Sequence, residues 1–144
     1  TVERFMRLEP QSSPEPTDPH DVVVEVGSSH VNWVDLLMAS GQYQHVPAPP
    51  YTPGLEYAGT VTAVGSAVTQ FQPGDRVVAD GTKTGPRSLS ERHRRWGGWA
   101  TYALAPEEGL LPFPAKLSFA QVATFLCAYI IAYHALVHLF LIYF

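Results

Sequence analysis

Between Pro53 and Val78 the chain reads PGLEYAGTVTAVGSAVTQFQPGDRVV, and the order of its β-formers and turn residues leaves few ways to fold. Tyr57 to Val64 is rich in strand-forming residues, alternates little and is bounded by Gly54 and Gly65, the pattern of a buried strand. A second strand starts at Asp75. Gly65-Ser66-Ala67 makes one turn. Pro73-Gly74-Asp75 makes another, in which proline fixes φ and glycine takes a positive φ without strain. Two β-elements joined by a short surface loop follow, a unit of a small barrel.

A length of 144 residues suggests one domain, and 46% hydrophobic residues with 15% charged ones suffice for a packed core. The net charge of −4 argues against a nucleic-acid partner, whose phosphates need a basic face. With the single cysteine, Cys127, no intramolecular disulfide can form. The N-terminus lacks the charged-then-apolar-then-cleavage pattern of a secretory leader, so the expected compartment is the cytosol. The chain starts with Thr1, which suggests a fragment or a trimmed product.

Val2 to Leu8 is a candidate first strand, and proline-rich Glu9 to His20 an irregular connection. Asp21 to Val26 is β-branched and reads as a strand, after which Gly27-Ser28-Ser29 relaxes the pattern. Asn32 can cap a short helix over Trp33 to Ala39, with Gly41 just past its end and Val34, Leu37 and Met38 on one side. Asp35, one turn in, suits the helix N-terminus electrostatically and equally an active-site role. Gln44 to Pro53 reads as a stiff, proline-rich wall. Gly81 to Gly98 is expected to be a long loop, Trp99 to Ala105 a strand, and Pro106 to Pro114 a connection. Ser118 and Gln121 form a capping-box pattern that opens a final helix. From Leu117 to Phe144 there is no Asp, Glu, Lys or Arg, a run long enough to cross a bilayer if wholly helical. Its last six residues, LFLIYF from Leu139, form an aggregation-prone window.

PGLEYAGTVTAVG followed by QPGDRVV resembles the catalytic domain of the medium-chain dehydrogenase/reductase superfamily, and specifically its zinc-independent quinone oxidoreductase branch. The resemblance extends to VNWVDLL from Val31, GQY and YTPG between Gly41 and Gly54, GGWATYALAP from Gly97, and FAQVATFLCAYIIAYHALV from Phe119. It implies a mainly β fold with helices: a GroES-like, partly open small β-barrel over residues 1–117. Residues 118–144 would then be a helix leading towards a nucleotide-binding domain that this chain lacks. It implies hydride transfer from NADPH to a quinone or enone, with a homo-oligomer when full length. In the resembled enzymes the asparagine of the VNWVD-like motif and the tyrosines of the following loop lie near the nicotinamide. That assigns Asn32 and Tyr43 to orienting the ring and Tyr51 to shaping the substrate site, with a hydroxyl or water supplying the proton. The choice is chemically sound, because a hydride donor needs an apolar, water-poor pocket with a few neutral donors. Ile131 departs from the family, where a threonine commonly contacts the nicotinamide region.

Zinc-dependent relatives would carry a cysteine at Asn32 and a histidine at Leu55. Neither residue found here is a zinc donor, so no metal site is expected. Glu56 alone reads as a strand-end or cleft residue. His134 and His138, four apart, have metal-site spacing but no acidic third ligand nearby, and read as packing residues. Lys83, Arg87, Arg92, Arg94 and Arg95 read as a solvated basic loop, and Cys127 as an inert packing thiol. NADPH is not expected to bind this chain alone tightly, because its phosphates need a glycine-rich turn at a helix N-terminus and none is present. Two alternatives stay open: a non-enzymatic interaction module on the same barrel, and a protein anchored in a membrane by its apolar C-terminal segment, against which the tyrosines and histidines of that segment speak.

Overall fold

The computed structural model describes Arg4 and residues 6–139. Five strands form one antiparallel sheet: β1 (Asp21–Ser29), β2 (Tyr57–Val64), β3 (Arg76–Ala79), β4 (Tyr102–Pro106) and β5 (Leu110–Pro112), in the order β4-β1-β2-β3-β5. The helices are α1 (Trp33–Ala39), α2 (Glu91–Arg94), α3 (Phe119–Ala123) and α4 (Leu126–Tyr133), the last running on into a π-helical turn over His134–Leu139. This is the mainly β, half-barrel architecture expected of a GroES-like domain.

The sheet has two apolar faces. Val22, Val24, Tyr57, Val61, Val77, Ala79, Ala103 and Ala105 fill the concave side with Phe71 and Leu110. On the other side Ala58 and Val78 pack against Val122 and Ala123 of α3, with Phe113 and Phe119 beside them. Burying a valine contributes about 1.5–3 kcal/mol, so β1 and β2 anchor the fold. Alternate residues of β3 serve opposite faces, as the strand period of two requires.

Gly27 is an extra residue in β1 where its pairing with β2 shifts register, between Val26 and Ser28. A Cβ there would meet the Phe119 ring at 2.5 Å, so the bulge makes room for α3. Arg76 locks the approach to α3: its guanidinium donates to the carbonyls of Ala115 (2.7 Å) and Leu117 (2.8 Å) and lies 4.6 Å from the centroids of both the Phe113 and Phe119 rings.

Several local expectations need correction. β1 runs on through Gly27-Ser28-Ser29, because the bulge absorbs the glycine. β4 begins at Tyr102 rather than Trp99. The connection after Pro106 contains a 3-10 turn and β5, whose three residues complete the sheet beside β3. The final helix opens with the Ser118–Gln121 capping box but stops at Ala123. The Thr124 hydroxyl donates to the carbonyls of Ala120 and Gln121, a side-chain competition that disfavours continuation. Among the described residues no helix is long and apolar enough to cross a membrane. Met6 to Leu8 form no strand, the earlier part of the candidate Val2–Leu8 strand lies largely outside the described residues, and so does Phe140–Phe144 of the LFLIYF window.

The basic segment is a solvated loop only in part: Lys83, Arg87 and Arg95 are exposed, whereas Arg92 and Arg94 are held by the fold. Asp21, wholly buried, accepts from Arg92 Nη2 (2.8 Å) and pairs with His93 Nε2 (2.8 Å) through one oxygen. Its other oxygen accepts from the Thr17 and Asp18 amides. Arg94 satisfies the carbonyls of Ser88 and Leu89. Residues 81–98 are thus clamped onto the first strand.

Candidate active site

The end of β1, the start of β2 and two helices converge on one carboxylate. Antiparallel pairing puts Ser29 opposite Tyr57, and the next residues, His30 and Glu56, meet across the same ladder, where His30 N donates to Glu56 O (2.9 Å). The Glu56 side chain is buried, and its Oε2 lies 2.9 Å from His30 Nδ1 and 3.1 Å from Asn32 Nδ2. Its Oε1 accepts from the backbone amide of Cys127 at 2.8 Å, which fastens α4 to the barrel. Three hydrogen bonds offset the desolvation of the group.

Asn32 performs the capping role its sequence position suggests: Oδ1 accepts from Val34 N, and the Asp35 carboxylate accepts from Asn32 N at 3.0 Å. Its amide therefore has one orientation, with oxygen towards the helix and nitrogen towards Glu56. Asp35 is buried and does more than complement the helix dipole. Its Oδ1 accepts from the amides of Gly54 (3.2 Å) and Leu55 (3.1 Å), tying α1 to the entry of β2. Burial pushes the Asp35 carboxyl up from its ordinary value; the amides of Asn32, Leu55 and Gly54 oppose this, and the Glu56 charge adds to it. Gly54 has φ +100°, and a Cβ there would stand 2.6 Å from Trp99 N. That close approach lets the Trp99 indole donate to His30 O at 3.1 Å.

Tyr51 has a buried hydroxyl without a hydrogen-bond partner among the described residues, raised above the phenol range by burial and then by Asp35. Asn32 thus adjoins Asp35 directly, and Tyr51 feels its charge. Tyr43, half-buried in the following loop, packs edge-on to His45 with ring centroids 6.3 Å apart. Ile131 is exposed on α4. Cys127 is exposed rather than packed, and its thiol is pushed up by partial desolvation and by Glu56 against the pull of Asn32 and Arg87, which leaves it a poor nucleophile. His134 and His138 are also exposed rather than packed, their ring centroids 5.1 Å apart. Among the described residues no three His, Cys, Asp or Glu side chains are grouped to hold a metal ion.

His30 is the residue that local sequence reasoning passes over. Its signal lies in the pairing of β1 with β2: once Ser29 faces Tyr57, a histidine and a glutamate must meet.

The five-stranded sheet and its flanking helices form a GroES-like scaffold of the alcohol dehydrogenase type. The family model for the alcohol dehydrogenase GroES-like domain matches residues 18–115, and the chain belongs to that family. It is 38% identical over 125 residues to human quinone oxidoreductase, covering 87% of this chain and 34% of that protein. Among solved structures it is similar to a quinone oxidoreductase of Pseudomonas syringae pv. Tomato DC3000 (32% identity, TM-score 0.68, 93% of this chain and 36% of that one). It is also similar to Escherichia coli quinone oxidoreductase complexed with NADPH (26% identity, TM-score 0.65, 88% of this chain and 35% of that one). The chain spans about a third of the length of the curated relatives it matches.

Proposed function

We propose that this chain is the catalytic-domain portion of a cytosolic, zinc-independent oxidoreductase that transfers hydride from NADPH to a quinone or enone. The observation that carries the reading is the Asn32 amide, held between Glu56 and the α1 N-terminus at the position that lies near the nicotinamide in the resembled enzymes. The orphaned Tyr51 hydroxyl supplies a second neutral donor that an incoming group can use. The residues present fit the nicotinamide end of the cofactor, with Asn32 and Tyr43 to orient the ring and Tyr51 to shape the acceptor site. They do not fit its phosphates: Gly97-Gly98 leads towards β4 rather than a helix, and Gly54, Gly59 and Gly65 lie within or beside β2. When bound, the dinucleotide supplies the hydride. The chain's own residues orient, exclude water and hold protons. Residues 118–144 lead, in this reading, towards the nucleotide-binding half.

Calorimetric titration of NADPH into the purified 144-residue chain, with a quinone-dependent absorbance assay at the same salt, tests the proposal. Neither tight binding nor turnover is expected of the chain alone, and both are expected when a downstream nucleotide-binding half is restored. Micromolar binding with turnover by the chain alone overturns the division of labour, and inactivity after restoration overturns the assignment.

A further inference from the structure

We infer that His30 and Glu56 form a proton-transfer dyad beside Asn32, with His30 the group that protonates the acceptor as it is reduced. The inference rests on the hydride-transfer reading and supplies the proton source that reading leaves unassigned.

Glu56 Oε2 receives both His30 Nδ1 (2.9 Å) and Asn32 Nδ2 (3.1 Å), so the imidazole and the asparagine amide are neighbours on a single oxygen atom. The Asn32 amide and the Cys127 backbone N–H can only donate. Both Glu56 oxygens therefore act as acceptors, and the proton shared with His30 resides on Nδ1. That leaves Nε2 as the nitrogen that gains and loses protons. The His30 side chain is 35% exposed whereas that of Glu56 is 6% exposed, so the ring reaches solvent while its orienting partner does not. A buried carboxylate that fixes one imidazole nitrogen while the other faces out is the arrangement general acid–base chemistry needs. The backbone holds the ring in register, because His30 N donates to Glu56 O and His30 O accepts from Trp99 Nε1. Among the described residues the Glu56 charge is felt by Asp35 on α1 and Cys127 on α4; Tyr51 in turn feels Asp35, and Cys127 feels Arg87.

The step balances. A carbonyl acceptor takes up a hydride, with its electron pair, from the reduced nicotinamide dinucleotide, and its oxygen takes up one proton. The His30 imidazolium gives that proton from Nε2, becomes the neutral Nδ1–H tautomer held by Glu56, and regains a proton from solvent. Reductant and acceptor thus exchange two electrons, and the protein returns to its starting state.

Two measurements test this. Nitrogen-15 NMR of the 144-residue chain reads the His30 tautomer, with the resonance assigned by its loss in His30→Gln. The neutral wild-type ring is expected as Nδ1–H, and Glu56→Gln is expected to release it towards Nε2–H. A wild-type ring found as Nε2–H overturns the dyad whatever the activity. Kinetics of the longest natural protein containing this sequence supply the second readout. His30→Gln is expected to lower kcat by about 10²-fold or more with the NADPH KM held. Unchanged kcat in a His30→Gln protein with wild-type NMR dispersion overturns the role of His30 while the functional reading stands. An inactive wild-type protein overturns both.

Discussion

Asp21 Oδ1 and His93 Nε2 lie 2.8 Å apart with both side chains buried, and this contact joins the first residue of the first strand to a segment seventy positions away. With Arg92 on the same oxygen, it converts what reads as a charged loop into part of the domain.

Removing that carboxylate should therefore be severe. Asp21→Ala strands Arg92, His93 and two backbone amides, and is expected to cost about 3 kcal/mol or more, the range for breaking a buried pair from one side. Urea unfolding measures it. A loss below about 1 kcal/mol means that water replaces the carboxylate, and the clamp is then not what holds residues 81–98.

A second expectation concerns Gly54. Gly54→Ala combines a backbone at φ +100° with a Cβ 2.6 Å from Trp99 N, so the Trp99–His30 hydrogen bond should break together with local packing. A loss of about 2 kcal/mol or more in thermal unfolding is expected, with altered tryptophan fluorescence. Wild-type stability in the variant would mean that the turn relaxes freely.

Two buried carboxylates should oppose each other in their pH dependence. Asp35 is raised from 3.8, chiefly by burial, so the folded state binds its proton more tightly than the unfolded state. Stability from this group falls as pH rises from 3.8 through the folded value. Glu107 is lowered from 4.5, first by the Gln70 amide, so its contribution is present above 4.5 and is lost as pH falls towards the folded value. Asp35→Asn should remove the first slope and Glu107→Gln the second. Unfolding titrations between pH 3 and 7, on the order of the reference carboxyl range, decide; identical slopes in all three proteins would show that neither group is linked to folding.

Elemental analysis after dialysis should find the protein free of stoichiometric zinc, since Asn32 and Leu55 occupy the ligand positions of zinc-dependent relatives. One zinc per chain refutes this.

Elements whose cause is local were legible in the sequence. The α1 helix begins after Asn32 because a side-chain oxygen satisfies an orphan amide, and β2 spans Tyr57–Val64 because glycines bound a β-forming run. β5 escaped because three residues between prolines carry no period. The stop at Thr124 escaped because its agent is a hydroxyl rather than Pro or Gly. Motifs put forward Asn32, Tyr43 and Tyr51, but they do not put forward His30. Its partner is 26 positions away, and only the β1–β2 register brings them together. Asp21 and His93 are likewise far apart in sequence, 72 positions, and are joined only by the packing of α2 against β1.

The bond from Glu56 to position 127 has a further consequence, because its donor is main chain. Every amino acid except proline offers that N–H, so position 127 can drift among residues of any character without loosening the joint. Position 56 has no such latitude. Mutational tolerance is thus divided unequally across one hydrogen bond, and a deep substitution scan should find position 127 permissive to all but proline while 56 is nearly fixed.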